Sequence, residues 1–213
     1  MDPRDATTLA DWRRQVAALY AAWRTGSAAA PERATQAFRA ARDRLFREHP
    51  QSPLPPAERA GFEGVPYWPY DRDYRLTARL EPAGVSAPVG GRREQLPVSG
   101  TEPFSFRLVG RLRPGGPLIG TALSVYWLEG YAGGLFLAFR DATSGRESYG
   151  AGRYLIDSAK GADLGGDAAT GELLLDFNMA FHPSCVYDPR WNCPLASRDN
   201  WLAPAVPVGE RLR

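Results

Sequence analysis

The chain has 213 residues, 44% of them hydrophobic and 23% charged, with a net charge of +2. This is ordinary globular composition, long enough to bury a sizeable core. It argues against a nucleic-acid binder, because such a protein concentrates positive charge on one face and most arginines here have acidic neighbours; the near-absence of lysine, with Lys160 alone among 26 basic residues, reads as a GC-rich genome.

The opening Met1-Asp2-Pro3-Arg4-Asp5 lacks the apolar run of a signal peptide. No stretch reaches the roughly 20 apolar residues of a membrane span. The expectation is a soluble, cytoplasmic chain with no membrane contact and with reduced thiols.

The first fifty residues read as two helices. Thr8 with Asp11 suggests an N-terminal cap, and Leu9, Trp12, Val16, Leu19 and Trp23 recur at helical spacing up to Gly26. Pro31 suits the first turn of a second helix, with Ala34, Phe38, Ala41 and Leu45 as its stripe and Pro50 as its end. Arg33, Arg39, Arg42 and Arg47 lie opposite and read as a solvated face or an anionic-partner surface. Residues 51–72 then form a stiff connector, in which Pro53, Pro55, Pro56, Pro66 and Pro69 alternate with Phe62, Tyr67, Trp68 and Tyr70.

From Tyr74 onward the period changes to two. Strands are predicted at 74–80, 104–110, 123–127, 135–139, 154–157 and 173–177. Between them lie turn sequences such as Pro114-Gly115-Gly116, Gly133-Gly134 and Gly165-Gly166-Asp167. The fold class expected is mainly β with an N-terminal helical pair, its antiparallel meander closed as a barrel or folded as a sandwich. Three parts make one structural unit: the helical pair at 1–50, the connector at 51–72 and the β domain at 73–213.

The segment 139–200 holds the chemistry-bearing residues. Asp141, Ser144 and Gly145 read as hairpin-turn residues, but Gly150 and Gly152 ask for a close approach by backbone, ring or ligand. Glu147, Tyr149, Arg153, Asp176 and Asn178 are polar residues in or beside predicted strands. Converging at a barrel mouth, they could do acid–base work, with Arg153 as an anion anchor; otherwise they form a buried structural network. The loop from Phe181 to Asn200 is rigid and aromatic, and it carries His182, Cys185, Trp191 and Cys193.

The two cysteines admit three readings: a disulfide, a metal site completed by His182 and Asp188, or two buried thiols packing the loop. The last is preferred, and no metal is assigned. A Cys185–His182 nucleophile pair is too constrained by its prolines to be preferred. No P-loop, nucleophile elbow or H-E-x-x-H run is present, and the sequence does not indicate which cofactor, if any, is used.

Asp141 through Leu155, Asp176-Phe177-Asn178 and Cys185 through Asn200 together resemble the bacterial domain-of-unknown-function 1684 family. Gly64-Val65-Pro66-Tyr67-Trp68-Pro69 is similar to that family's aromatic-proline segment. The resemblance spans nearly the whole chain and implies kinship without a known activity. One departure stands out: Phe181-His182-Pro183 replaces an expected Tyr-Asn-Pro, so a role of His182 would be particular to this chain.

The resulting expectation is a small-molecule-binding β-barrel protein, possible as an enzyme. Glu147, Tyr149, Asp176 and His182 are its catalytic candidates, and Arg153, Asn178, Trp191 and Asn200 its ligand-binding candidates. The alternatives are a protein-interaction module built on the connector or helical pair, and a thiol or metal site at Cys185 and Cys193.

Overall fold

The computed structural model describes residues 2–82 and 92–212. Two helices come first, α1 (Pro3–Ser27) and α2 (Pro31–Glu48). Each starts with a proline, whose missing N–H costs nothing in a first turn. The cap of α1 lies earlier than the sequence pattern suggests: Asp2 accepts the Asp5 amide at 2.8 Å, while the Thr8 hydroxyl donates back to the Arg4 carbonyl. Capping lengthens the helix by one apolar-poor turn that periodicity alone passes over.

Nine strands follow: β1 (Arg75–Arg79), β2 (Glu81–Pro82), β3 (Arg93–Gln95), β4 (Ser105–Leu112), β5 (Leu123–Leu128), β6 (Gly134–Phe139), β7 (Arg153–Asp157), β8 (Gly166–Asp167) and β9 (Glu172–Asp176). All strand pairs are antiparallel. One sheet runs β1-β9-β8. The other runs β2-β4-β5-β6-β7, with β3 also on β4. Every strand expected from the period-two pattern is present.

The expected barrel is not. No closed barrel forms among the described residues, and with helices of 25 and 18 residues the protein is mixed α and β rather than mainly β. Closure is unnecessary because the sheet is covered on both faces. Leu123, Val125, Leu137, Phe139 and Leu155 point into a core shared with Ala78 and Leu175 of the smaller sheet and with Tyr20, Trp23 and Phe38 of the helices. Alternate residues Phe106, Tyr126, Phe136, Ala138 and Tyr154 form a second core on the opposite face, covered by Leu96, Ala196 and Phe181. Loop 181–200 is thus the lid of a hydrophobic layer, which is why β5, β6 and β7 are buried almost throughout.

Two glycines fix sheet irregularities. Between Leu108 and Gly110 the β4–β5 register shifts, and a Cβ on Gly110 would lie 2.3 Å from the Glu81 carbonyl oxygen. Gly152 has φ +101°, and its Cβ would lie 2.3 Å from the Phe139 carbonyl oxygen. The close approach that Gly152 serves is therefore backbone to backbone.

Candidate functional site

Connector, loop 181–200 and C-terminal segment meet around Glu210, which is wholly buried. Arg42 of α2 donates to its Oε1. The His182 amide and the Tyr187 hydroxyl donate to Oε2 at 2.7 and 2.9 Å. Arg42 also reaches the Tyr67 hydroxyl at 3.1 Å. One carboxylate so ties together a helix, the connector, the loop and the chain end, with enough donors to tolerate burial.

The arginines of α2 consequently divide. Arg33 and Arg47 are exposed, but Arg42 is largely buried against Glu210, and Arg39 donates to the carbonyls of Trp68 and Asn178. The solvated-face reading fails for Arg39 and Arg42, because folding brings acceptors from residues more than a hundred positions away over that face.

Outside this network lies a cleft of about 480 Å³. Phe62, Val65 and Pro66 of the connector line one side, and His182, Val186 and Tyr187 line the other. Glu58 and Arg211 stand exposed at its margin, each without an ion pair among the described residues. His182 and Tyr187 also border a smaller inner cavity of about 100 Å³ between the helices and the sheet, where Asp157 and Lys160 sit. Burial holds the Asp157 carboxyl above its usual range.

The imidazole of His182 is buried. Its Nε2 accepts the Tyr149 amide at 3.2 Å, so this nitrogen carries no proton, and Nδ1 lies 3.6 Å from Glu210 Oε2. Burial first, then the charges of Arg153 and Arg42, push its pKa down to about 3. A buried ring whose pKa is lowered and whose Nε2 is taken by a backbone amide is poorly suited to moving protons near pH 7. Burial also lifts Tyr187 to about 12.

The remaining candidates are placed as follows. Arg153 is 1% exposed, and its guanidinium donates to Asp141 at 2.5 Å, to the Val206 and Glu210 carbonyls at 2.7 and 3.1 Å, and to the Val208 carbonyl. It lies over the rings of Trp68 and Phe139 as well. It anchors the C-terminal segment, and an anion has no place beside it. Asp176 pairs with Arg75 at 2.8 Å and accepts both the amide and the side-chain nitrogen of Asn178. Asn178 in turn exchanges two 2.8 Å hydrogen bonds with the Asp71 backbone. These two residues clasp the connector to β9.

Asn200 is buried between β5 and β6. Its side chain accepts the Ser124 amide at 2.6 Å and donates to the Ser124 and Ala138 carbonyls at 2.9 and 2.8 Å. It replaces ladder bonds where the two strands part. The Trp191 indole donates to the Pro53 carbonyl at 3.0 Å. Glu147 is exposed, and only its backbone is engaged.

The structure therefore joins Tyr149 with His182 and Asp176 with Asn178, but does not gather the polar set of Glu147, Tyr149, Arg153, Asp176 and Asn178 into one pocket. The buried-network reading describes Arg153, Asp176 and Asn178. Glu210 had no sequence signal, since nothing local marks a glutamate near the chain end as buried.

The connector aromatics are also turned inward: Phe62 and Trp68 are buried and Tyr67 and Tyr70 half-buried, so they present no contiguous exposed aromatic face. No group of three or more His, Cys, Asp or Glu side chains suited to a metal is found among the described residues, and none of their helices is long and apolar enough to cross a membrane.

Cys185 and Cys193 are free thiols, half-buried and buried respectively. They neighbour each other, and the Tyr149 hydroxyl lies 4.0 Å from the Cys185 sulfur.

The family described as "Protein of unknown function (DUF1684)" matches residues 60–211. A solution NMR structure of an uncharacterised protein from Haloarcula marismortui is similar at 34% identity, over 83% of this chain and 91% of that one, with a TM-score of 0.57. That similarity carries the fold into the archaea, beyond the bacterial range the motifs alone implied. No curated protein matches.

Proposed function

This chain belongs to the DUF1684 family, and we propose that it is a small-molecule-binding protein whose site is the cleft between the connector and loop 181–187. The observation that carries this reading is the cleft itself. At about 480 Å³ it falls within the usual range for small-ligand sites, and apolar side chains line it over a rigid floor. The Glu210 network fixes one wall of it, holding His182 and Tyr187 directly and Tyr67 of the connector through Arg42.

The ligand that suits this cleft has an apolar body and an anionic group directed at Arg211, which has no ion pair among the described residues. The reading is of binding and not acid–base catalysis. The His182 pKa is pushed down and its Nε2 accepts a backbone amide, Tyr187 is pushed up to about 12, and Glu147 and Asp176 lie elsewhere.

A thermal-shift screen of small carboxylates and phosphate esters with apolar tails tests this. A hit raises the melting temperature of the wild type. It loses affinity about tenfold or more in Arg211→Ala, the scale of a charge-assisted hydrogen bond. It disappears in Gly61→Trp, where nothing lies within 4 Å of a new Cβ and the indole fills the cleft. A screen without hits, or a hit indifferent to both variants, overturns the proposal.

A further inference from the structure

Two cysteines eight positions apart, in a chain that has no others, need not meet. Here they do. Cys185 lies in the single 3₁₀ turn Ser184–Val186, directly after Pro183. Cys193 directly precedes Pro194, and its backbone is pinned to residues 98–99. The Ser99 amide donates to the Cys193 carbonyl at 2.9 Å, the Cys193 amide donates to the Ser99 hydroxyl at 2.9 Å, and Val98 bridges Pro194. Trp191 and Asn192 reinforce the return of the loop, through Ser99 and through Glu102 and Gly100 respectively.

The loop thus holds its two thiols in contact, Cys185 half-buried and Cys193 buried. The Cys193 thiol and the Tyr149 hydroxyl, the latter 4.0 Å away, neighbour the outer sulfur, and the Ser99 hydroxyl beside them donates to the Trp191 carbonyl. No carboxylate joins them, and no third metal ligand stands nearby among the described residues.

We propose that Cys185 and Cys193 form a redox-active dithiol, in which Cys185 reacts with a small hydroperoxide and Cys193 resolves the product as an intramolecular disulfide. The first step forms an S–O bond at Cys185 and breaks the peroxide O–O bond. The leaving alkoxide or hydroxide takes a proton from solvent. In the second step the Cys193 thiol gives up its proton, its sulfur attacks the sulfenic sulfur of Cys185, and water leaves. Two thiols are oxidised by two electrons in all, and the hydroperoxide is reduced to an alcohol and water. An external dithiol restores the pair by thiol–disulfide exchange.

The electrostatics agree with this division of labour. The contact with Cys193 first, with smaller contributions from its polar neighbours, brings the Cys185 thiol down to about 6, which favours its thiolate form. The same contact with Cys185, with burial, pushes Cys193 upward, which keeps it a protonated donor until the sulfenic acid forms. Burial holds Tyr149 up at about 12, leaving its hydroxyl a donor towards the thiolate. Together these mark Cys185 as the attacking thiol and Tyr149 as a positioning residue. None of the four groups lines the proposed ligand cleft, so the inference stands apart from it.

The experiment uses the full chain treated with one equivalent of hydrogen peroxide, followed by tryptic mass mapping without reduction. Trypsin cuts after Arg190 and so separates the two cysteines. The expected product is a cross-linked pair of peptides, absent after reduction. Cys193→Ser should accumulate a Cys185 sulfenic acid trapped by dimedone, and Cys185→Ser should give neither adduct nor cross-link. The rate of wild-type alkylation against pH should show a midpoint near 6, displaced upward in Tyr149→Phe. Circular dichroism confirms folding of each variant. The proposal is overturned if both thiols survive peroxide in the folded wild type. It is overturned equally if Cys193 is the residue trapped, or if the cross-link joins different molecules.

Discussion

Replacing Arg153 by methionine, of similar length and apolar, should destabilise the protein more than any surface change. The side chain is 1% exposed and donates to Asp141 and to the carbonyls of Val206, Val208 and Glu210. Removing it strands a buried carboxylate, a loss of about 3–5 kcal/mol in comparable pairs. Asp141 keeps the Thr143 amide and hydroxyl at 2.7 and 2.5 Å, which limits the penalty at its end. Val206 likewise keeps the Val208 amide at 2.9 Å, but the Val208 and Glu210 carbonyls have no such reserve among the described residues, and each one left dry adds about 1–3 kcal/mol. A net loss of about 5 kcal/mol is a large part of the roughly 5–15 kcal/mol that holds a domain together.

At about 2–4 °C per kcal/mol for a chain of this size, the melting temperature should fall by about 10–20 °C. Thermal unfolding followed by circular dichroism measures this. The double variant Arg153→Met/Asp141→Asn should recover part of the loss, because the stranded charge is gone. A fall of less than about 3 °C in the single variant would show that Arg153 is not the anchor of the C-terminal segment.

Three further outcomes are expected. Between pH 6.5 and 3 the unfolded chain binds the His182 proton that the folded chain refuses, so this residue's contribution to stability is present above 6.5 and drains away as pH falls. The slope approaches about 1.4 kcal/mol per pH unit; His182→Asn, whose amide oxygen can accept the Tyr149 N–H, should flatten the difference curve in urea melts at pH 7, 6 and 5, and an unchanged slope would count against a buried neutral ring. Gly152→Ala should cost about 1–3 kcal/mol through its positive φ and the Phe139 carbonyl, whereas Gly150→Ala, with no atom closer than 3.7 Å to the new Cβ, should melt near the wild type. Equal effects at the two glycines would refute the backbone-approach explanation. Asn200→Ala leaves three buried backbone groups of Ser124 and Ala138 unpaired and should cost about 3 kcal/mol; faster amide exchange in β5 and β6 would accompany it, and unaltered exchange there would contradict the bridging role.

Much of the fold was legible because its signals are local. Alternation in 105–112, 123–128 and 134–139 marks strands wherever they end up, and Pro31 marks a helix start through a fixed φ and a missing N–H. The DUF1684 motifs were legible for the same reason, as short runs of specific residues. Closure was not, since alternation says that a face is buried but not what buries it. Here loop 181–200, with no regular period, covers the face that a barrel would have turned inward.

The polar residues were the least readable. Glu147, Arg153, Asp176 and Asn200 look alike as charged or amide side chains near strands, yet one is exposed and three are buried with long-range partners. Arg42 meets Glu210 across 168 positions and Arg39 meets Asn178 across 139, distances over which propensity and period carry no information.

What the sequence by itself determined about this protein was therefore its family, its two long helices and its six longer strands, though not the short β2, β3 and β8, and the stretch 139–200 as the place of its unusual residues. Only the tertiary structure decided which polar groups lose their water. That depends on acceptors arriving from distant segments, and a charge is worth burying only where such partners already wait. The same rule makes Arg153 a staple.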